Sequence, residues 1–219
     1  MRKLTRGQAP SCLSNYKHGR DKWEVVSTNP QYNEEVWRKL SAMQGSLCAY
    51  CESRLKQKKH IEHFFRRGQV PQKTFEWANL FGSCSQPDSC GNYKDNKAPS
   101  TIDLAKVCKP DIMDSADYLF FADDGSVEAR SGLSPADLEI AQNTIQVFNL
   151  NGSSKLVGKR REAARIELPL AEIYYQTASE YAGAEDLEME QLLDEERSNN
   201  LARIESSEHS AVLKQVWSF

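Results

Sequence analysis

Cys48-Ala-Tyr-Cys51 and, after a gap of 32 residues, Cys84-Ser-Gln-Pro-Asp-Ser-Cys90 govern how the rest of the chain is read. Two thiolates from each stretch would give one zinc ion the closed tetrahedral shell of a structural site, with no position left for chemistry. The second pair is spaced Cys-x5-Cys instead of Cys-x2-Cys, so Pro87 and Asp88 must form a turn that brings its thiolates together. The competing reading is four buried reduced cysteines without metal, which would leave a turn-rich segment with no evident core. In a cytosolic chain thiols stay reduced, so clustering favours metal over disulfides. Cys12 and Cys108 stand apart and are expected to be ordinary buried thiols.

Working outward, residues 47–96 contain turns and short extended stretches, such as 60–65, in place of long periodic ones, as expected of a small metal-stapled module. Upstream, Val36, Trp37, Leu40 and Met43 recur at helical spacing over 33–43, ending near Gln44-Gly45. Downstream, Tyr118 to Ala122 reads as a strand and 123–126 as a turn, closing a hairpin with Val127 to Ala129. Ser134-Pro135 predicts an N-cap and first helical residue for a helix through about Phe148, closed by Asn151-Gly152. A helix over 155–178 follows, with Pro169 expected to kink or interrupt it. The region 186–216 carries Leu187, Met189, Leu192, Leu193, Leu201 and Ile204 among many acids. The fold class is therefore α+β, a small zinc-stapled core embedded in a mainly α-helical chain. Its segments are a helical 1–46, a core at 47–110, and a hairpin plus acidic helices at 111–219.

The 219 residues are 39% hydrophobic, enough for a core. No apolar run approaches a membrane span, and Met1 to Arg6 leads into polar sequence, so a cytoplasmic protein with no membrane partner is expected. The net charge of -3 hides a division. Residues 1–110 hold 19 basic and 10 acidic residues, and 111–219 hold 9 and 21. A basic half suits a polyanion, because each neutralised phosphate releases counterions; the bland alternative is two differently solvated surfaces.

Between the cysteine pairs lies His60-Ile61-Glu62-His63, and after the second pair Gly91-Asn92-Tyr93-Lys94. Here the chain resembles the HNH endonuclease family, whose ββα-metal fold carries a metal ligand and a histidine base on one strand, an Asn on a loop and a last ligand on the helix. The resemblance implies Glu62 as ligand, His63 as general base, Asn79 as the loop residue and Asn92 as the last ligand, with Asn in place of the usual third His. Cys48-Ala-Tyr50-Cys51-Glu52, Glu62-His63-Phe64 and Trp77-Ala-Asn79-Leu80 are similar to PtuB-like proteins of Septu and retron-associated anti-phage systems. Asn149-Leu150-Asn151 with Arg160 or Arg161 extends the likeness to about residue 165. The resemblance further implies partners: an ABC-type ATPase of the PtuA kind and, in retron versions, a reverse transcriptase with its RNA-linked DNA.

Phosphodiester hydrolysis needs a proton acceptor for the attacking water and something to offset charge on the phosphate. An imidazole near its usual pKa can accept that proton. Mg²⁺ or Mn²⁺ prefers oxygen ligands, which Glu62 and Asn92 would provide. Regular strand alternation separates Glu62 from His63, so the family's arrangement requires a twisted or bulged strand end, and the same alternation puts His60 beside Glu62 as a third ligand or phosphate contact. Each has a plain alternative: a packed histidine, a solvated acid, a helix-capping Asn. Lys56, Lys58, Lys59, Arg66, Arg67 and Lys94 ring the site as phosphate contacts that would position a backbone without reading sequence, or else form a solvated face. Trp77 and Phe81 are expected in the core. The reading is a metal-dependent nuclease acting on DNA or RNA. A zinc-knuckle subunit that binds nucleic acid or a partner without cutting is the alternative, and a stand-alone restriction enzyme lacks any visible sequence-reading domain.

Overall fold

Asn29 begins the first long helix because its side-chain oxygen accepts the amides of Gln31 and Tyr32, and Gly45, at φ 60°, ends it. The computed structural model describes residues 1–183 and 186–218. After a single turn α1 (Glu24–Ser27) comes that helix, α2 (Pro30–Gln44), then strands β1 (Lys59–His63) and β2 (Leu80–Cys84) and helix α3 (Cys90–Asn96). A second pair of strands, β3 (Leu119–Phe121) and β4 (Val127–Ala129), precedes α4 (Pro135–Val147), α5 (Ser154–Glu180), α6 (Leu187–Glu205) and α7 (Ser210–Val216). The architecture is mixed helix and sheet, with two separate two-stranded antiparallel sheets among the described residues.

β1 pairs with β2 in unbroken register from Lys59↔Cys84 to His63↔Leu80. Alternation is therefore regular, and the bulge that the resemblance required is not there. His60 and Glu62 face α3, while Ile61 and His63 face α1 and the Trp23 side. Ser134 caps α4 as expected, its hydroxyl accepting the Asp137 amide. Pro169 does not interrupt α5. It lies on the exposed face, where water satisfies the carbonyl it strips of a partner.

One hydrophobic cluster joins the knuckle to the helical half: Cys48, Tyr50, Phe64, Phe81, Phe148, Leu150, Ile204 and Trp217 belong to it. Phe81 is fully buried and Trp77 almost so, the latter in a second cluster under α2. The residues 148–151 stitch the halves. Cys90 N donates to Phe148 O at 2.9 Å, Asn149 Nδ2 to Asp88 O at 2.7 Å, and Asn151 clasps both backbone groups of Val127. Buried Arg160 donates to the carbonyls of Gly125 and Leu150 at 2.7 and 2.5 Å. Gly125 permits this approach, since a Cβ there would lie 2.1 Å from Val157 O. The acidic C-terminal region packs unevenly: Ile204 is buried, whereas Leu187 and Leu192 are exposed. Among the described residues no helix is long and apolar enough to cross a membrane.

Candidate functional site

The four cysteines converge because two turns present them. Cys48 N donates to Ser53 O at 2.9 Å and Glu52 N to Cys48 O at 3.0 Å, with Glu52 at φ 61°, so the chain doubles back after Cys51. Ala49 N bonds Gly82 O at 3.1 Å and docks this turn on β2, whose end carries Cys84. The sulfurs of Cys48, Cys51, Cys84 and Cys90 all lie within 4.8 Å of one another, and all four residues are buried. The sulfurs of Cys51 and Cys84 are 3.8 Å apart, the edge of a tetrahedron with metal–sulfur bonds of about 2.3 Å, roughly 3.8 Å. Cys84 N donates to the Cys48 sulfur at 3.4 Å. Burial raises the Cys48 thiol, but bonds from the Cys51, Cys84 and Cys90 thiols outweigh it and hold Cys48 well below its ordinary pKa. Four soft donors in this arrangement fit a structural metal such as zinc. Cys12 and Cys108 are buried outside the cluster, and burial pushes each up to about 12.

On the α3 side of β1, Glu62 is 1% exposed. Its Oε1 pairs with Lys94 Nζ at 2.8 Å and its Oε2 accepts the Tyr50 hydroxyl. Burial raises the Glu62 pKa despite the nearby ammonium. Lys94, 0% exposed, also donates to His63 O at 2.9 Å and to Asp95. Gly91 makes the packing possible, because a Cβ there would lie 2.3 Å from Glu62 Cγ and 3.1 Å from His60 Nε2. The residues assigned to a divalent cation thus do not converge on an open point. Glu62 is sealed, Asn92 Oδ1 accepts Asn96 Nδ2 at 2.8 Å, and His60 Nδ1 is engaged by Ser85 Oγ at 3.3 Å. The donor set as folded does not fit Mg²⁺ or Mn²⁺.

A cleft of about 910 Å³ runs along β1, lined by Trp23, His60, His63 and Arg67 and, from α3, by Asp95 and Asn96, among others. His63 stands in it with its ring edge-on to Trp23, centroids 4.6 Å apart. Its Nε2 lies 3.0 Å from Thr74 O. A carbonyl only accepts, so Nε2 carries the hydrogen and Nδ1 keeps the lone pair. Burial pushes the His63 pKa down to about 4, the Thr74 bond only partly opposing it. The ring is therefore neutral in neutral solution. Burial likewise lowers the pKa of His60.

Asn79 fixes the loop between the strands, accepting Phe65 N at 2.7 Å and donating to the carbonyls of Phe65 and Lys73 at 3.1 Å. The basic set disperses. Lys94, expected at a phosphate, is interior, because Glu62 needs a buried counter-charge. Arg66 donates twice to Lys94 O and so caps α3. Lys59 lies over the Trp37 ring at 4.2 Å, and Arg67 reaches Glu24 at 3.5 Å. Lys56 and Lys58 border a different cleft. Sequence reasoning missed Tyr50 as partner of Glu62, Thr74 and Trp23 as the seat of His63, and Asp95, whose carboxylate is 41% exposed beside the cleft. Its position one turn after Gly91 on α3 was the available signal.

Lys94→Met should strand Glu62 as an unpaired buried charge and destabilise the protein by about 3–5 kcal/mol in urea unfolding. Adding Glu62→Gln should restore much of that loss; a cost under about 1 kcal/mol for Lys94→Met alone would show that water already reaches the pair. No protein-family model matches the chain, and no curated protein matches it.

Proposed function

We propose that this protein is an HNH-type nuclease that hydrolyses phosphodiester bonds of nucleic acid in the cleft around His63. The observation that carries it is His63, which lines a cleft with Arg67 and His60 and whose Nε2 is held by Thr74 O, leaving Nδ1 as the ring's lone-pair nitrogen. Nδ1 takes a proton from the attacking water as the new phosphorus–oxygen bond forms, and the leaving oxygen departs to be protonated by solvent. Arg67 offsets phosphate charge. The ββα order of β1, β2 and α3 beside the four cysteines supports the family likeness. A second reading, a zinc-knuckle subunit that binds without cutting, is favoured by the sealing of Glu62 under Lys94 and Tyr50. The proposal extends to a partner subunit such as the ABC-type ATPase that the resemblance implies. Its support is the exposed Ile166, Leu170 and Ile173 at helical spacing on α5, Ile173 being 64% exposed.

The pH dependence tests the base. With a free-enzyme pKa of about 4, kcat/KM should stay flat from pH 8 down to about 5 and fall only near 4. A bound phosphate anion favours the imidazolium, so the acid limb of kcat should lie higher than that of kcat/KM. A single limb for both at the ordinary histidine value would contradict the assignment. The unfolded chain binds this proton more readily than the folded one. The stability due to neutral His63 is therefore complete above about pH 6.5 and lost as the pH falls toward 4.

A further inference from the structure

Lys56 and Lys58, expected beside His63, border instead the other flank of the cysteine cluster, together with two lysines of α5 that the sequence did not single out. A cleft of about 720 Å³ lies between the first knuckle and the opening turn of α5. Arg54, Lys56 and Lys58 line it from the chain leaving the knuckle, and Lys155 and Lys159 from α5, against the single acid Glu208. Arg54 holds Glu208 at 3.6 Å; among the described residues no carboxylate lies within 4.0 Å of the other four ammonium groups. Lys155 and Lys159 are one helical turn apart, so one face of α5 presents both. They come from a half of the chain that is otherwise strongly acidic.

A zinc tetrathiolate would carry two net negative charges and attract cations too, and Arg160, buried near Cys51 and Cys90, offsets one of them. The four exposed lysines outnumber the charge that remains. The two clefts share no lining residue, but Lys58 of this one and His60 of the other are two residues apart in the chain. Ser85 N donates to Lys58 O at 3.4 Å, which holds the residue before β1 against the chain leaving β2. Two residues of extended chain span about 7 Å, roughly two steps of a stacked strand at about 3.4 Å each.

We propose that this basic cleft is a second phosphate-backbone site, into which the nucleic acid held at His63 continues along the Lys58 edge of β1. The proposal rests on the nucleic-acid reading of the His63 cleft. Both cysteine turns and the start of α5 form its walls, so the zinc cluster would fix the spacing between backbone contacts and the base.

The test uses the full chain with His63→Ala as parent, so that bound nucleic acid stays intact. Binding of a fluorescein-labelled single-stranded DNA oligonucleotide is followed by anisotropy over a range of salt. Lys155→Gln with Lys159→Gln should bind on the order of tenfold more weakly and lower the slope of log K against log salt by roughly 1.4, or 0.7 for each lost contact. Lys17→Gln with Arg20→Gln, the same charge change on an exposed turn outside both clefts, should leave affinity and slope near the parent's. Zinc content should be the same in all. Parental affinity and slope in the lysine variant, or no binding by the parent, would overturn the proposal. So would loss of zinc from the lysine variant, since those cations would then be balancing the cluster. Unchanged binding together with His63-dependent cleavage by the otherwise wild-type chain defeats this cleft alone. Lysine-dependent binding with no cleavage at any pH defeats the hydrolase and keeps the cleft.

Discussion

Cys48→Ser is expected to lose the metal and most of the fold together. Cys48 sits at the junction of both turns: its sulfur accepts Cys84 N, its carbonyl accepts Glu52 N, and its neighbour Ala49 ties the turn to β2. Losing one thiolate opens the shell, and structural zinc in small modules is worth about 10–16 kcal/mol, comparable to the whole stability of a typical domain, about 5–15 kcal/mol. The damage should spread, because the cluster's cysteines pack in the same core as Phe148, Ile204 and Trp217, and Glu52 beside Cys51 accepts the Ala211 amide of α7 at 2.9 Å. Zinc analysis should fall from one ion per chain toward none, with loss of the cooperative thermal transition. Cys12→Ser and Cys108→Ser, outside the cluster, should keep the zinc. A Cys48→Ser protein that melts like wild type without metal would show that the four cysteines pack without needing an ion.

His63→Ala is expected to lower nucleic-acid cleavage by about 10²–10⁴-fold, the usual contribution of a positioned general base, while zinc content and melting change little. The expectation of an intact fold rests on where the ring sits. It lines the cleft at 5% exposure with its edge on Trp23, and among the described residues its side-chain hydrogen bond is to Thr74 O in the loop. The strand that carries it is held by the β2 ladder and by Lys94 on the His63 carbonyl, neither of which involves the ring. Equal loss of zinc and stability would instead make His63 a packing residue of the Trp23 cluster.

Much of this arrangement was legible in local sequence because its causes are local. Helical spacing and Gly45 marked α2, the Ser134-Pro135 cap marked α4, an apolar run before a turn marked the β3–β4 hairpin, and four cysteines marked the cluster that could hold a metal. The opposite facing of Glu62 and His63 also followed from alternation, and the structure kept to it where the family likeness asked for a bulge. What escaped depends on pairing at a distance. A lysine ordinarily reads as solvent-exposed; only the approach of α3 to β1 shows that Lys94 is the buried counter-charge of Glu62. Likewise the break at His209, which stands at φ 60° against the knuckle and separates α6 from α7, has no glycine or proline to announce it. The continuity of α5 through Pro169 depends on which face meets water, which sequence periodicity left open.

The most direct measurement is cleavage of plasmid DNA and total cellular RNA by the purified wild-type chain and by His63→Ala, each with one zinc per chain, with Mg²⁺, with Mn²⁺ or with neither, alone and beside a candidate ATPase subunit. The expected result is cutting by wild type in at least one of these conditions and its loss in His63→Ala. Equal inertness of the two proteins throughout, with nucleic-acid binding and zinc retained by both, would contradict the hydrolase and leave a binding subunit.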